Sequence, residues 1–140
     1  MSRVFWDTNL FIYLIEGQGA RWQLVTRLAN AIRERGDQLI TSTLTLGELL
    51  VKPRRDGNSR LAAEYEALLA KHASLIALDV EAARIYARIR RDSSIKSPDA
   101  IQLACAASAR VDLFITNDAR LSGKIIDGIQ FIVSLDRAPL

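Results

Sequence analysis

Cysteine and histidine are nearly absent from this 140-residue chain, which has one of each, Cys105 and His72. A single cysteine excludes an intrachain disulfide and a zinc site built from several thiolates. Because Cys105 lies in the apolar stretch AIQLACAASA, we expect a buried and unreactive thiol. His72 has no matched partner for nucleophilic catalysis, so no Ser-His-Asp or Cys-His set is expected.

Long hydrophobic runs and a glycine-rich phosphate loop are also missing. No apolar stretch approaches the roughly 20 residues that span a bilayer, and MSRVFWD lacks the apolar segment of a signal peptide. We therefore expect a cytoplasmic protein without membrane association. With 49% hydrophobic and 25% charged residues, the composition is that of a globular protein, and we expect one domain over residues 1–140. The net charge of +3 is only a weak indication of polyanion partners.

Apolar strand-like and amphipathic helix-like segments alternate along the chain. Strands are predicted at residues 3–6, 38–41, 74–78, 111–116 and 129–133. Helices are predicted at residues 10–17, 20–36, 44–52, 59–72 and 80–91. Pro53 should end the third of these, and Asp79 should cap the fifth. A further helix should begin at a cap at Ser97, and a short one should follow Asp118. The alternation favours a three-layer α/β/α sandwich with a mostly parallel central sheet of about five strands. Such sheets bind ligands beyond the carboxyl ends of their strands, where the strand order reverses.

Four acidic residues fall at the junctions between these elements. Asp7 in VFWDTNLF and Asp118 in LFITNDARL follow apolar strands in similar contexts, while Glu48 and Asp99 lie near helix starts. If the strands are parallel, the four carboxylates can meet at one edge of the sheet. Their mutual repulsion would raise their pKa values, and a divalent cation would relieve it. Oxygen ligands without nearby histidine or cysteine favour Mg²⁺ or Mn²⁺.

Each acid also has an ordinary structural explanation. These are a helix cap at Asp7 or Thr8, a capping box of Thr45 and Glu48, a favourable first-turn position for Asp99, and a turn at Asn117 and Asp118. Their joint occurrence at four junctions, two of them in near-duplicate contexts, favours a shared site.

The segments DTNLFIYLIEG, GELL, SPDAIQLACAA and ITNDARL resemble, in order, the acidic motifs of PIN-domain nucleases, and most closely those of VapC-type toxin ribonucleases. The resemblance covers essentially the whole chain. It implies a five-stranded parallel sheet between helices and a Mg²⁺- or Mn²⁺-dependent endoribonuclease that hydrolyses RNA phosphodiester bonds. It also implies a homodimer that is held inactive by a small antitoxin protein in a type II toxin–antitoxin pair.

The same resemblance implies roles for individual residues. The acidic quartet would be Asp7, Glu48, Asp99 and Asp118, with Asp7, Asp99 and Asp118 as metal ligands and Asn9, Thr116 and Asn117 as their polar supports. Independently of the resemblance, basic residues that flank the acids in the sequence could contact RNA phosphates, namely Lys52, Arg54, Arg55, Arg91 and Lys96. The alternative for each of them, favoured for any single residue, is a solvated surface charge. Apolar helical surface around Leu10, Ile12 and Tyr13 could face a partner.

Two other interpretations stay open. The first is a catalytically silent PIN-like nucleic-acid-binding or scaffold domain, although a silent domain has no reason to keep mutually repelling carboxylates together. The second is an aspartyl-phosphate enzyme with Asp7 as nucleophile. Such motifs usually carry a second aspartate two residues on, where this chain has Asn9.

Overall fold

Five parallel strands form one sheet in the computed structural model, which describes residues 1–139. They are β1 (Arg3–Trp6), β2 (Gln38–Ser42), β3 (Ser74–Ile76), β4 (Leu113–Thr116) and β5 (Phe131–Ser134). Their spatial order is β3-β2-β1-β4-β5, and all four neighbouring pairs are parallel. Phe5 of β1 pairs with Ile40 on one side and Phe114 on the other. The predicted α/β class and five-stranded parallel sheet are confirmed.

Six helices cover the two faces of the sheet. They are α1 (Thr8–Glu16), α2 (Ala20–Arg35), α3 (Thr43–Arg55), α4 (Ser59–His72), α5 (Val80–Ile89) and α6 (Ser97–Ser108). Successive strand side chains point to opposite faces. Phe5 therefore packs with residues of α5 and α6, whereas Val4 and Trp6 pack with residues of the other four helices. No helix within residues 1–139 is long and apolar enough to cross a membrane.

Pro53 does not end α3, contrary to the prediction. The helix runs through the buried proline for two further residues, to Arg55. A proline inside a helix removes one backbone hydrogen bond. The last turn nevertheless closes normally, because the N–H of Asp56 donates to the carbonyl of Lys52 at 3.0 Å.

The chain after β4 also differs from its prediction, because it forms turns where a short helix was expected. The N–H of Arg120 donates to the side chain of Asp118 at 3.0 Å, which directs the backbone into a turn. Further along, Gly128 adopts a φ of +98°, and a Cβ there would lie 2.8 Å from the carbonyl oxygen of Ala107. The turn at Asp118 places Asp118 and Arg120 side by side near the sheet edge.

Candidate acidic site

All four acids singled out from the sequence line one cleft of about 200 Å³. It lies beyond the carboxyl ends of β1 and β4, since Asp7 follows β1 and Asp118 comes two residues after β4. The chain runs from β1 outward to β2 and β3, then returns to place β4 on the other side of β1. The cleft therefore lies at the reversal of strand order, where ligands of such sheets bind.

Asp7 has a structural role and also contributes to the cleft. Its Oδ1 accepts a hydrogen bond from the N–H of Thr8 at 2.9 Å as the N-cap of α1, and its Oδ2 accepts one from the Thr116 hydroxyl at 2.9 Å. Burial raises the pKa of Asp7 to about 6, with further raising by the charges of Asp99 and Glu48, against the lowering effect of the two hydrogen bonds. A buried carboxylate with such neighbours has a strong affinity for positive charge.

Asp99 lies in the first turn of α6 and is partly buried. Burial raises its pKa, and the negative charges of Asp118 and Glu48 raise it further, while Arg120 and Lys96 oppose them. The pKa values of Asp99 and Asp7 are thus both raised in part by the negative charges of the other acids of the cleft, as expected for like charges held close together.

Asp118 is neutralised by a residue that the sequence analysis did not single out. Arg120 donates from Nε to Oδ1 at 3.0 Å and from Nη2 to Oδ2 at 2.7 Å. This side-chain hydrogen bonding lowers the pKa of Asp118. Asp118 is therefore the acid of the cleft whose negative charge is already paired with a positively charged side chain of the protein.

Glu48 accepts a hydrogen bond at its Oε1 from the Thr8 hydroxyl at 2.6 Å. The capping-box explanation for Glu48 is wrong, because α3 begins at Thr43 and its N-cap is Ser42. Thr45 instead belongs to a buried polar cluster under the cleft, together with Thr8, Thr41, Ser42 and Gln102. The sequence offered one signal for this cluster, a lone glutamine in the apolar segment of α6.

The predicted polar supports take different positions. Thr116 is fully buried and joins two acids, since its hydroxyl donates to Asp7 and accepts from the N–H of Asp118 at 3.0 Å. Asn9 is exposed and lines the cleft. Asn117 donates from Nδ2 to the hydroxyl of Tyr13 at 2.8 Å instead.

Of the five predicted basic contacts, Lys96 is the one whose charge acts on the acids, because it lowers the pKa of both Asp99 and Asp118. Lys52, Arg54 and Arg55 are exposed in the last turn of α3. Arg91 lines a different depression, beside Ile95 and Lys124.

The expected apolar surface on α1 is largely wrong. Leu10 is fully buried and Tyr13 is 9% exposed, because both pack into the core beside the sheet. Ile12 alone of the three is substantially exposed.

The chemistry of the cleft fits a hard divalent cation. Its ionisable ligands are carboxylates, and the pKa values of Asp7 and Asp99 are raised mainly by burial, with a further contribution from the negative charges of the other acids. No three Asp, Glu, His or Cys side chains within residues 1–139 are already arranged as a metal-binding group. Mg²⁺ does not require such an arrangement, because it keeps several waters and binds through one or two carboxylates plus substrate phosphate.

The fold and the site together define the class of protein. It is an α/β protein with an acidic cleft at the point where the strand order of its parallel sheet reverses. The family model for the PIN domain matches residues 4–124, so this chain belongs to the PIN domain family. No curated protein matches the sequence.

Several solved structures share the fold. A toxin–antitoxin complex from Klebsiella pneumoniae matches with a TM-score of 0.69 and 24% sequence identity, covering 90% of this chain and 94% of that chain. VapBC2 from Rickettsia felis, bound to a DNA fragment from its promoter, matches with a TM-score of 0.71 and 14% identity, covering 94% and 98%. VapBC-5 from Mycobacterium tuberculosis matches with a TM-score of 0.60 and 24% identity, covering 96% and 99%.

Proposed function

We propose that this chain is a Mg²⁺- or Mn²⁺-dependent endoribonuclease and the toxin of a VapBC-type toxin–antitoxin pair. The observation that carries the proposal is the meeting of four carboxylates in one cleft of a PIN-family chain. The toxin assignment is supported by the shared fold with VapBC proteins.

The four acids have different roles in this proposal. Asp7, Asp99 and Asp118 hold the cation, and Glu48 orients the attacking water. Thr116 keeps the Asp7 carboxylate in place through its hydrogen bond, and Asn9 reaches the cleft from the exposed side of α1. The bound cation supplies Lewis acidity, which makes water a better nucleophile near neutral pH and offsets negative charge on the phosphate.

The RNA backbone would approach along basic side chains near the cleft. Lys96 is positioned best for this role, because its charge already acts on two of the acids. Arg120, whose guanidinium pairs with Asp118, would offer a second positive charge to a phosphate at the cleft. Lys52 lies one helical turn beyond Glu48 and extends the basic surface toward Arg54 and Arg55.

An antitoxin partner and a homodimer are part of the same proposal. A groove of about 720 Å³ is lined by α1, α2 and α4, with apolar Phe11 and Leu68 among its walls. Trp6 and Thr26 also line it, and their buried Nε1 and Oγ1 atoms have no hydrogen-bond partner within residues 1–139. Such a groove suits an amphipathic segment of an antitoxin that covers the apolar walls.

Cleavage of RNA by the purified chain, freed of any partner, tests the enzymatic proposal. The substrate is structured RNA, with Mg²⁺ in one arm and excess chelator in another. Asp7→Asn is the key variant, because it removes a charge from the cleft while asparagine can still cap α1. Asp79→Asn is the matched control, since Asp79 caps α5 through the N–H of Ala82 outside the cleft.

We expect cleavage by the wild type and Asp79→Asn with Mg²⁺, and loss of cleavage with chelator or in Asp7→Asn. Cleavage that ignores both chelator and Asp7→Asn would refute metal-dependent catalysis at this cleft. RNA binding without any cleavage would favour the silent nucleic-acid-binding domain.

A further inference from the structure

Gln102 is a buried amide directly under the cleft, at 2% exposure on the otherwise apolar inner side of α6. We propose that Gln102 is a positioning residue, which holds the Thr8 hydroxyl so that Thr8 in turn fixes Glu48. This inference rests on the proposed nuclease function for its kinetic consequence, whereas its geometric part can be tested without any activity.

The orientation of the Gln102 amide is determined by its three hydrogen bonds. Its Oε1 accepts from the hydroxyl of Ser42, and its Nε2 donates to the hydroxyls of Thr8 at 3.0 Å and Thr45 at 2.9 Å. Ser42 is itself held as the N-cap of α3, where its oxygen accepts from the N–H of Thr45. The amide therefore joins α6 to the start of α3 and to the start of α1.

A hydroxyl carries one hydrogen, so the direction of each bond matters. Because Gln102 donates to the Thr8 oxygen, the single Thr8 hydrogen stays available for Glu48 Oε1 at 2.6 Å. If the amide were turned over, its oxygen would face Thr8 and compete with Glu48 for that hydrogen. The Gln102 nitrogen thus maintains the Thr8–Glu48 hydrogen bond without touching Glu48.

Glu48 has reason to need such a restraint. It is exposed at the cleft, and within residues 1–139 the Thr8 bond is its one side-chain hydrogen bond. A long, flexible carboxylate is useful for orienting water only when its position is limited, and small displacements of catalytic groups are costly to rate. The buried cluster provides this limit from below the cleft.

The kinetic test uses Gln102→Met, which keeps the length of the side chain and removes its hydrogen bonds. We expect kcat for RNA cleavage to fall roughly 10- to 100-fold with little change in KM, as for a misplaced catalytic group. Thr8→Val should give a similar loss, and Thr8→Ser should restore most of the activity because it keeps the hydroxyl. The Thr8 pair also carries the test if Gln102→Met fails to fold.

A double-mutant cycle separates positioning from a purely structural role. In a Glu48→Ala background, Gln102→Met should cause almost no further loss of kcat, since the group that it positions is gone. An equal loss in both backgrounds would overturn the proposal and assign Gln102 to general packing.

The second readout needs no catalysis and so distinguishes failure of this inference from failure of the proposed function. The ¹³C chemical shift of the Glu48 carboxyl carbon should change in Gln102→Met and in Thr8→Val, and should return toward the wild-type value in Thr8→Ser. An unchanged Glu48 signal in Gln102→Met would overturn the positioning role, whether or not the wild type cleaves RNA. A wild type that cleaves nothing but shows these shifts would refute the nuclease proposal and leave the positioning intact.

Discussion

The guanidinium of Arg120 holds both carboxylate oxygens of Asp118, one through Nε and the other through Nη2. The two residues are only two positions apart, and the turn after β4 brings them together. Arg120 therefore places a positive charge in the acidic cleft when no other cation neutralises Asp118. A divalent ion that uses Asp118 has to displace this arginine or share the carboxylate with it.

Removing the Arg120 side chain should strengthen the binding of a divalent cation. We expect Arg120→Ala to bind Mn²⁺ about two- to fivefold more tightly than the wild type, a modest change because exposed ion pairs are weak. Isothermal titration with Mn²⁺ in the absence of RNA measures the effect. Arg60→Ala is the control, since Arg60 forms an exposed ion pair with Glu64 elsewhere, on α4. Equal or weaker Mn²⁺ binding by Arg120→Ala would contradict competition between Arg120 and the divalent ion for the Asp118 carboxylate.

Asp7 should make the folded protein less stable as the pH rises. Its pKa is raised from 3.8 to about 6 in the folded chain, so the folded state binds the proton more tightly than the unfolded state does. The associated stability is fully present below pH 4 and is lost between about pH 4 and 6, to a total of about 3 kcal/mol. Asp7→Asn avoids the buried charge, and should raise the free energy of unfolding by about 1–3 kcal/mol at pH 7.

Urea unfolding at several pH values, without divalent metal, checks the Asp7 prediction. The gain from Asp7→Asn should shrink toward zero at pH 4, where the wild-type carboxyl is already protonated. Asp79→Asn, at a cap outside the cleft, controls for the general effect of exchanging an aspartate N-cap. A gain that is the same at pH 4 and pH 7 would argue against burial of the charge as its cause.

Two glycines with positive φ should differ in their tolerance of a methyl group. Gly128 and Gly123 have φ values of +98° and +81°, but only at Gly128 would a Cβ meet another atom, the Ala107 carbonyl oxygen at 2.8 Å. Both alanine variants carry the strain of positive φ, about 1 kcal/mol. Gly128→Ala should cost about 2 kcal/mol more, because the segment before β5 must move away from α6. Comparable free energies of unfolding for the two variants would contradict this close approach.

The convergence of the acids could be anticipated from the sequence because it follows from topology. Asp7 and Asp118 each follow an apolar strand, and parallel neighbouring strands end at the same edge of a sheet. The alternation of strands and helices was sufficient to indicate the sheet. Neither inference required knowledge of a side-chain contact.

Arg120 and Gln102 were missed for physical reasons. Arg120 is one of many arginines, and its pairing with Asp118 depends on a turn where the sequence pattern predicted a helix. Gln102 acts through hydroxyls from three other segments, so its partners become visible only when α1, β2 and α3 are packed against α6. Pro53 shows the opposite case, since a strong local signal for a helix end was overridden by burial in the tertiary structure.

If the cleft binds a divalent cation, Mg²⁺ should stabilise the folded chain in proportion to its affinity. At a concentration 100 times the dissociation constant, one bound ion raises the free energy of unfolding by about 2.7 kcal/mol. The gain should be smaller at pH 5.5 than at pH 7.5, because the raised pKa of Asp7 makes protons compete with the ion in that range.

Thermal unfolding with and without Mg²⁺ measures the gain. Asp99→Asn should lose most of it, whereas Asp127→Asn, in an exposed loop outside the cleft, should keep it. Equal Mg²⁺ stabilisation of wild type and Asp99→Asn would place any bound ion elsewhere on the protein.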